Sequence, residues 1–182
     1  DNYKPITQSE IDTALANAVK QVECNLPKLK EKFKASTSEN NFYPESENVE
    51  WTTGFWTGEI WLAYEHTKKE IFKEAGLVQV DSFANRLKNK VDINHHDIGF
   101  LYSLSCVAAY KLTGDEKAKS TAIVAADELI KRFNEKGQFI HAWGDNDKQE
   151  NYRLIIDCLL NLPLLYWATS VTGDTKYEKI AK

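Results

Sequence analysis

The chain contains no methionine, so the natural N-terminus of the protein is not read from it. Its three cysteines, Cys24, Cys106 and Cys158, are odd in number and have no CxxC spacing, which argues against a disulfide framework. Two of them fall within apolar runs, and reduced core thiols are expected. Basic excess is also missing. The formal charge is −4 with the lysines scattered, so no cationic stripe supports a nucleic-acid partner, although a small anionic ligand is compatible. No uninterrupted apolar stretch approaches a membrane span, and Asp1-Asn2-Tyr3-Lys4-Pro5 does not read as a signal peptide. A soluble, cytoplasmic protein is the expectation. Neither a P-loop nor a GxGxxG is present, so no nucleotide cofactor is expected.

What is present is ordinary globular material: 182 residues, 42% hydrophobic and 27% charged, enough for one domain with a sizeable core. The periodicity is helical almost throughout. Thr7-Gln8-Ser9-Glu10 has the form of a capping box ahead of Ile11, Leu15, Val19 and Val22. From about Trp56 to Thr67 the chain is nearly all apolar, as in a helix buried on most sides. A one-sided stripe follows, Ile71, Ala75, Val78, Phe83 and Leu87, as in an outer helix with one face in water. The alternation repeats with Leu101, Leu104, Ala108 and Leu112, a stop at Thr113-Gly114, a cap at Asp115, and the stripe Ala118, Ala122, Ala125, Leu129 and Phe133. A third apolar run, Leu154 to Val171, contains Pro163, which starts or kinks a helix. Thr172-Gly173-Asp174 then opens another outer helix, which the chain's end cuts short. Stacked α-hairpins follow, and inner helices apolar nearly all round favour closure into a barrel over an open solenoid.

Trp51, Asp97 and Asp157 occupy nearly the same place in three copies of this unit, preceding Thr67, Thr113 and Thr172 by 16, 16 and 15 residues. Equivalent helices start at one rim, so an aromatic ring and two carboxylates can converge there on one ligand. Asp157 lies among Leu154, Ile155, Ile156, Leu159 and Leu160, surroundings that favour a protonated carboxyl suited to general-acid work. His95-His96-Asp97-Ile98-Gly99 is dense in functional groups. Each aspartate taken singly is also explained as a helix cap. The pair could divide the labour of glycoside cleavage. A metal site built from His95, His96, Asp97 and His141 is the rival, but no HxxxH or HxxE spacing puts two of these on one helix face, and no metal is expected. Trp61 and Trp167 read as core. Trp51 and Trp143 sit in loops, where an indole can stack on a sugar ring.

Four blocks together, Glu50-Trp51-Thr52-Thr53-Gly54-Phe55-Trp56-Thr57-Gly58, His95-His96-Asp97-Ile98-Gly99-Phe100-Leu101-Tyr102, Ile140-His141-Ala142-Trp143-Gly144 and Arg153-Leu154-Ile155-Ile156-Asp157-Cys158-Leu159-Leu160-Asn161, closely resemble the unsaturated glucuronyl hydrolases of glycoside hydrolase family 88. The resemblance implies an all-α fold, an (α/α)6 toroid of six hairpins, with residues 1–182 forming about the N-terminal half of a single catalytic domain. It implies hydration of the double bond in the unsaturated uronic acid that lyases leave at the non-reducing end of glycosaminoglycan oligosaccharides. Asp157 would protonate C4 and assist the water, Asp97 would orient the substrate, and Trp51, His96 and Trp143 would line the pocket. No cofactor is implied. An unsaturated rhamnogalacturonyl hydrolase acting on pectin fragments, a non-catalytic sugar-binding toroid and a helical-repeat interaction protein are the alternatives. The sequence carries no reading of oligomeric state.

Overall fold

The structure is a computed structural model and describes residues 4–182; the first three residues of the Asp1–Pro5 stretch lie outside the described residues. Helix α1 spans Gln8–Leu29 and starts at the predicted capping box, with the Thr7 hydroxyl accepting from the Glu10 amide and the Glu10 carboxylate accepting from the Thr7 amide at 2.8 Å. Three hairpins of helices follow. The first pairs α2 (Thr53–Thr67) with α3 (Glu70–Lys88). The second pairs a segmented inner helix, α4 (Ile98–Tyr102), a π turn (Ser103–Val107) and α5 (Ala108–Thr113), with α6 (Glu116–Ile130). The third pairs α7 (Leu162–Thr172), entered through a 3-10 turn at Ile156–Leu160, with α8 (Lys176–Ala181).

Each inner helix packs on its own outer partner and on the next inner helix, and α3, α6 and α8 pack side by side behind them. This is the stacked arrangement that the alternating patterns predict. The punctuation is also as read: Gly114 and Gly173 end their helices in the left-handed conformation, and Asp115 caps α6 by accepting from the Ala118 amide at 2.7 Å. Pro163 stands in the first turn of α7, where its missing amide costs nothing.

Several details differ from the sequence reading. In α3 the expected Ala75, Phe83 and Leu87 are buried, but Ile71 is exposed and Val78 only half-buried, and Phe72, Gln79, Val80 and Arg86 complete the inner face. The first half of the α1 stripe, Ile11 and Leu15, is exposed; Val19 is half-buried against the core and full burial begins at Val22. Cys24 lies on that open side, so it is not a core thiol; Cys106 and Cys158 are buried, and all three are free. Phe133 falls past the end of α6, in a small hairpin of β3 (Phe133–Asn134) and β4 (Phe139–Ile140). A similar hairpin joins β1 (Phe33–Lys34) to β2 (Glu45–Ser46). Neither two-residue pair has the length to show alternation. The inner layer is open on one side, with Leu62 67% and Ile156 84% exposed. Among the described residues no helix is long and apolar enough to cross a membrane.

Helix α3 lies close on α2 because Gly76 presents no side chain there. A Cβ at Gly76 would sit 2.5 Å from the Trp61 ring, which is itself buried. Gly76→Ala is therefore expected to destabilise the protein by about 1–3 kcal/mol despite the better helix propensity of alanine. Denaturant unfolding with the slope held constant measures it, and a stabilised variant would mean that Trp61 can move.

Candidate active site

The predicted site residues lie on loops at one rim, where the chain passes from each outer element to the next inner helix. Asp97 immediately precedes α4, and Asp157 lies in the 3-10 turn before α7. These two starts are held together by a close approach. The buried Asn161 side chain accepts from the Phe100 amide at 2.9 Å, and Gly99 lies so near that a Cβ there would be 2.4 Å from the Asn161 side chain. Glycine is required at this contact, and the result brings two residues sixty positions apart to one point.

That point is His96. Its Nε2 lies 3.4 Å from Asp97 Oδ1 and 3.6 Å from Asp157 Oδ1, with the imidazole almost completely enclosed. Neither approach is aligned as a hydrogen bond. Both ring nitrogens of His96 and Oδ1 of Asp157 are buried without a hydrogen-bond partner, an arrangement that costs stability and marks a working site more often than a structural one. The Asp97 side chain makes no capping bond to α4, so the helix-cap explanation does not account for it. His95 stands beside it, with Nδ1 3.1 Å from Asp97 Oδ2 but out of line, and Nε2 2.9 Å from the Asp92 carbonyl oxygen.

Asp157 differs from its expected setting. Its side chain is 44% exposed, because Ile156, Leu159 and Leu160 face away from the described part of the fold instead of enclosing the carboxyl. Burial instead acts on its neighbours. It pulls the His96 pKa down from 6.5, against the opposing pull of Asp97 and Asp157, which favours a neutral imidazole. It pushes the Cys158 thiol up to about 11, so no thiolate forms beside Asp157 at neutral pH.

The indoles flank this centre. Trp51 is half exposed and stands edge-on to Phe55 and Phe100, whose rings stack on each other 5.5 Å apart. Trp143 is 44% exposed, with the Arg153 guanidinium 4.9 Å from its ring centre. Backbone bonds join the Trp143 loop to its neighbours: the His96 amide donates to the Ala142 carbonyl at 2.7 Å, the Ala142 amide donates to the Arg153 carbonyl at 3.0 Å, and His95 bridges to Trp143. His141 does not reach the centre. Its ring nitrogens engage Asn134 and Asn151, and its ring packs against Phe139 and Tyr152. The four-ligand metal set weighed from the sequence is therefore not assembled. His96, Asp97 and Asp157 do offer ligand atoms within 4.8 Å of one another, a spacing that a small cation could also use. Sequence reasoning missed Asn161 and Arg153 as site-building residues, although both fall inside the fourth block.

Residues 26–181 match the Glycosyl Hydrolase Family 88 profile. The chain belongs to glycosyl hydrolase family 88. An unsaturated chondroitin disaccharide hydrolase of Streptococcus pneumoniae is 49% identical over 177 residues, covering 97% of this chain and 45% of that protein. The crystal structure of the unsaturated glucuronyl hydrolase of Streptococcus agalactiae superposes with a TM-score of 0.96 at 46% identity, over 99% of this chain and 45% of that one. Two solved variants of the latter enzyme replace aspartate by asparagine at positions sixty residues apart. They match at TM-scores of 0.85 and 0.84, 40% and 39% identity, each over 99% of this chain and over 45% and 42% of theirs. One of them is complexed with dGlcA-GalNAc6S. The chain thus spans a little under half the length of these family 88 relatives, and its three hairpins are part of an (α/α) toroid.

The lowered His96 pKa has a stability consequence. The unfolded chain binds this proton more readily than the folded one, so the contribution of a neutral, enclosed His96 is complete above pH 6.5 and is lost as pH falls below it. Unfolding free energy measured against pH should decline below that value in wild type, and His96→Gln should flatten the decline.

Proposed function

We propose that the full-length protein removes the 4,5-unsaturated uronic acid from the non-reducing end of lyase-generated glycosaminoglycan oligosaccharides by hydrating its double bond, and that residues 1–182 belong to the N-terminal part of a single catalytic toroid. One observation carries this reading: Asp97 and Asp157, sixty residues apart, place carboxylate oxygens within 3.6 Å of one enclosed histidine nitrogen. The interval equals that between the two substituted aspartates of the S. agalactiae enzyme. The names of the relatives supply the substrate class.

The chemistry required suits these groups. The substrate is an enol ether, with C4 nucleophilic and C5 attached to the ring oxygen. Asp157, the more open of the two carboxyls, delivers a proton to C4, and the positive charge that develops at C5 is shared with the ring oxygen. Water adds at C5 and returns its proton to the Asp157 carboxylate. The hemiketal then opens to a C5 ketone, and the hemiacetal left at C1 expels the remaining sugar as an alcohol. No nucleophile attacks the anomeric carbon. Asp97 and His96 orient the ring, with His96 neutral so that it donates or accepts a hydrogen bond without adding charge. Trp51 and Trp143 offer flat apolar faces to a ring flattened by its double bond. The three free thiols fit a reducing compartment, in keeping with a cytoplasmic enzyme.

The test follows the ultraviolet absorbance of the conjugated alkene when full-length protein meets an unsaturated chondroitin disaccharide. A catalysed fall is expected, with Asp157→Asn lowering kcat by about 10²–10⁴-fold as for loss of a general acid, and Asp97→Asn raising KM as well. Turnover of rhamnogalacturonyl substrate alone would assign the pectin branch. Binding without loss of absorbance would make the protein a sugar-binding toroid.

A further inference from the structure

The chain has twenty lysines and three arginines, and all three arginines are at the rim. Arg153 lies over Trp143. The other two are buried, and each closes an outer helix and grips the loops around it. Arg132, just past α6, donates from Nε to the His141 carbonyl at 2.8 Å, from one terminal nitrogen to the Gly144 carbonyl at 3.1 Å, and from the other to the Asn94 side-chain oxygen. Two of these acceptors bracket Trp143 and the third directly precedes His95-His96-Asp97. Arg86, near the end of α3, makes the same kind of grip one hairpin earlier. It donates to the Val91 and Asp92 carbonyls on one side and to the Asn48 and Thr53 side chains, around Trp51, on the other.

We propose that Arg132 is a positioning residue for the reaction: it fixes the Trp143 loop relative to the His96-Asp97 turn by holding the backbone of one and the Asn94 side chain of the other. The inference rests on the hydration reading above. Arg86 forms an ion pair with Asp92, but among the described residues Arg132 has no carboxylate within ion-pairing distance. All three of its acceptors are neutral. Burying a guanidinium on such partners is a poor way to gain stability, since an apolar side chain of similar volume would avoid the desolvation. What the guanidinium supplies instead is geometry. Its planar fork reaches three acceptors on two loops at once, which a lysine ammonium on a flexible stem cannot do in the same register. Between those loops run the His96–Ala142 backbone bond and the His95–Trp143 bridge, so any slack there moves an indole that should stack on the sugar against a histidine and a carboxylate that should orient it.

The experiment compares wild type, Arg132→Lys and Asn94→Ala in the full-length protein. It reads kcat and KM per folded molecule, together with amide exchange over residues 94–97 and 141–144. Asn94→Ala removes one arm of the grip while leaving Arg132 in place, and so serves if Arg132→Lys does not fold. Faster exchange confined to the two loops is expected in both variants. In Arg132→Lys, KM should rise about tenfold or more with kcat also reduced, because misplacement by a fraction of an ångström is felt at both binding and chemistry. A residue with a merely structural role would lower the folded fraction and leave KM per folded molecule unchanged. KM within twofold of wild type in the folded variants therefore overturns the proposal, whatever the exchange does. If wild type turns over no unsaturated uronide, the hydration reading fails instead, and unchanged loop exchange in the variants would then remove the positioning role independently.

Discussion

The site exists because two inner helices begin almost in contact. Gly99 and Asn161 meet so closely that no side chain fits between them, and the Asn161 amide oxygen takes the Phe100 amide that the first turn of α4 leaves unpaired. One buried hydrogen bond therefore does the work of a helix cap from a different hairpin. It sets the two helix starts at a fixed distance, and Asp97 and Asp157, immediately before and within those starts, inherit it. A cap supplied by Asp97 itself would have turned that carboxylate back onto its own helix. Because Asn161 satisfies α4, Asp97 remains available to the rim.

Around this contact the Trp51 side of the rim packs on Phe55 and Phe100, whereas the Trp143 side is held mainly by polar groups. Loops carrying exposed indoles cannot be pinned by a hydrophobic core alone, since their apolar surface has to stay accessible. Backbone bonds among His96, Ala142 and Arg153, with buried guanidinium groups behind them, take that part. The unpartnered nitrogens of His96 show the same trade from the other side, since buried polar groups left open give up stability.

Much of the architecture was legible because it is periodic. The capping box at Thr7, the Gly114 and Gly173 stops and the alternation of all-round and one-sided helices are local rules, and local rules survive tertiary context. The recurrence of Trp51, Asp97 and Asp157 before their threonines was likewise enough to place all three at helix starts on one rim. Contacts that cross between hairpins were not legible. Nothing in the spacing of Asn161 tells that it caps a helix sixty residues earlier, and nothing in the apolar neighbours of Asp157 tells that they turn outward. His141, weighed from the sequence only as a ligand of the rival metal set, is engaged by Asn134 and Asn151. The inner face of α3 was legible at Ala75, Phe83 and Leu87 but not at Gln79 and Arg86, polar residues in core positions that a hydrophobic stripe leaves out. The scarcity of arginine beside abundant lysine was a signal that composition did offer.

The π turn at Ser103–Val107 breaks the second inner helix into α4 and α5. Such a turn accommodates one residue more than the α-helical repeat, and side chains before and after it no longer share a stripe. Mechanically it acts as a spline with one tooth skipped: the upper segment, packed on α6 and α7, is indexed to Asn161 and the rim, and the lower one takes its own phase against α2 and α6. Substitutions that re-aim side chains of the upper segment need not propagate as a rotation into α5.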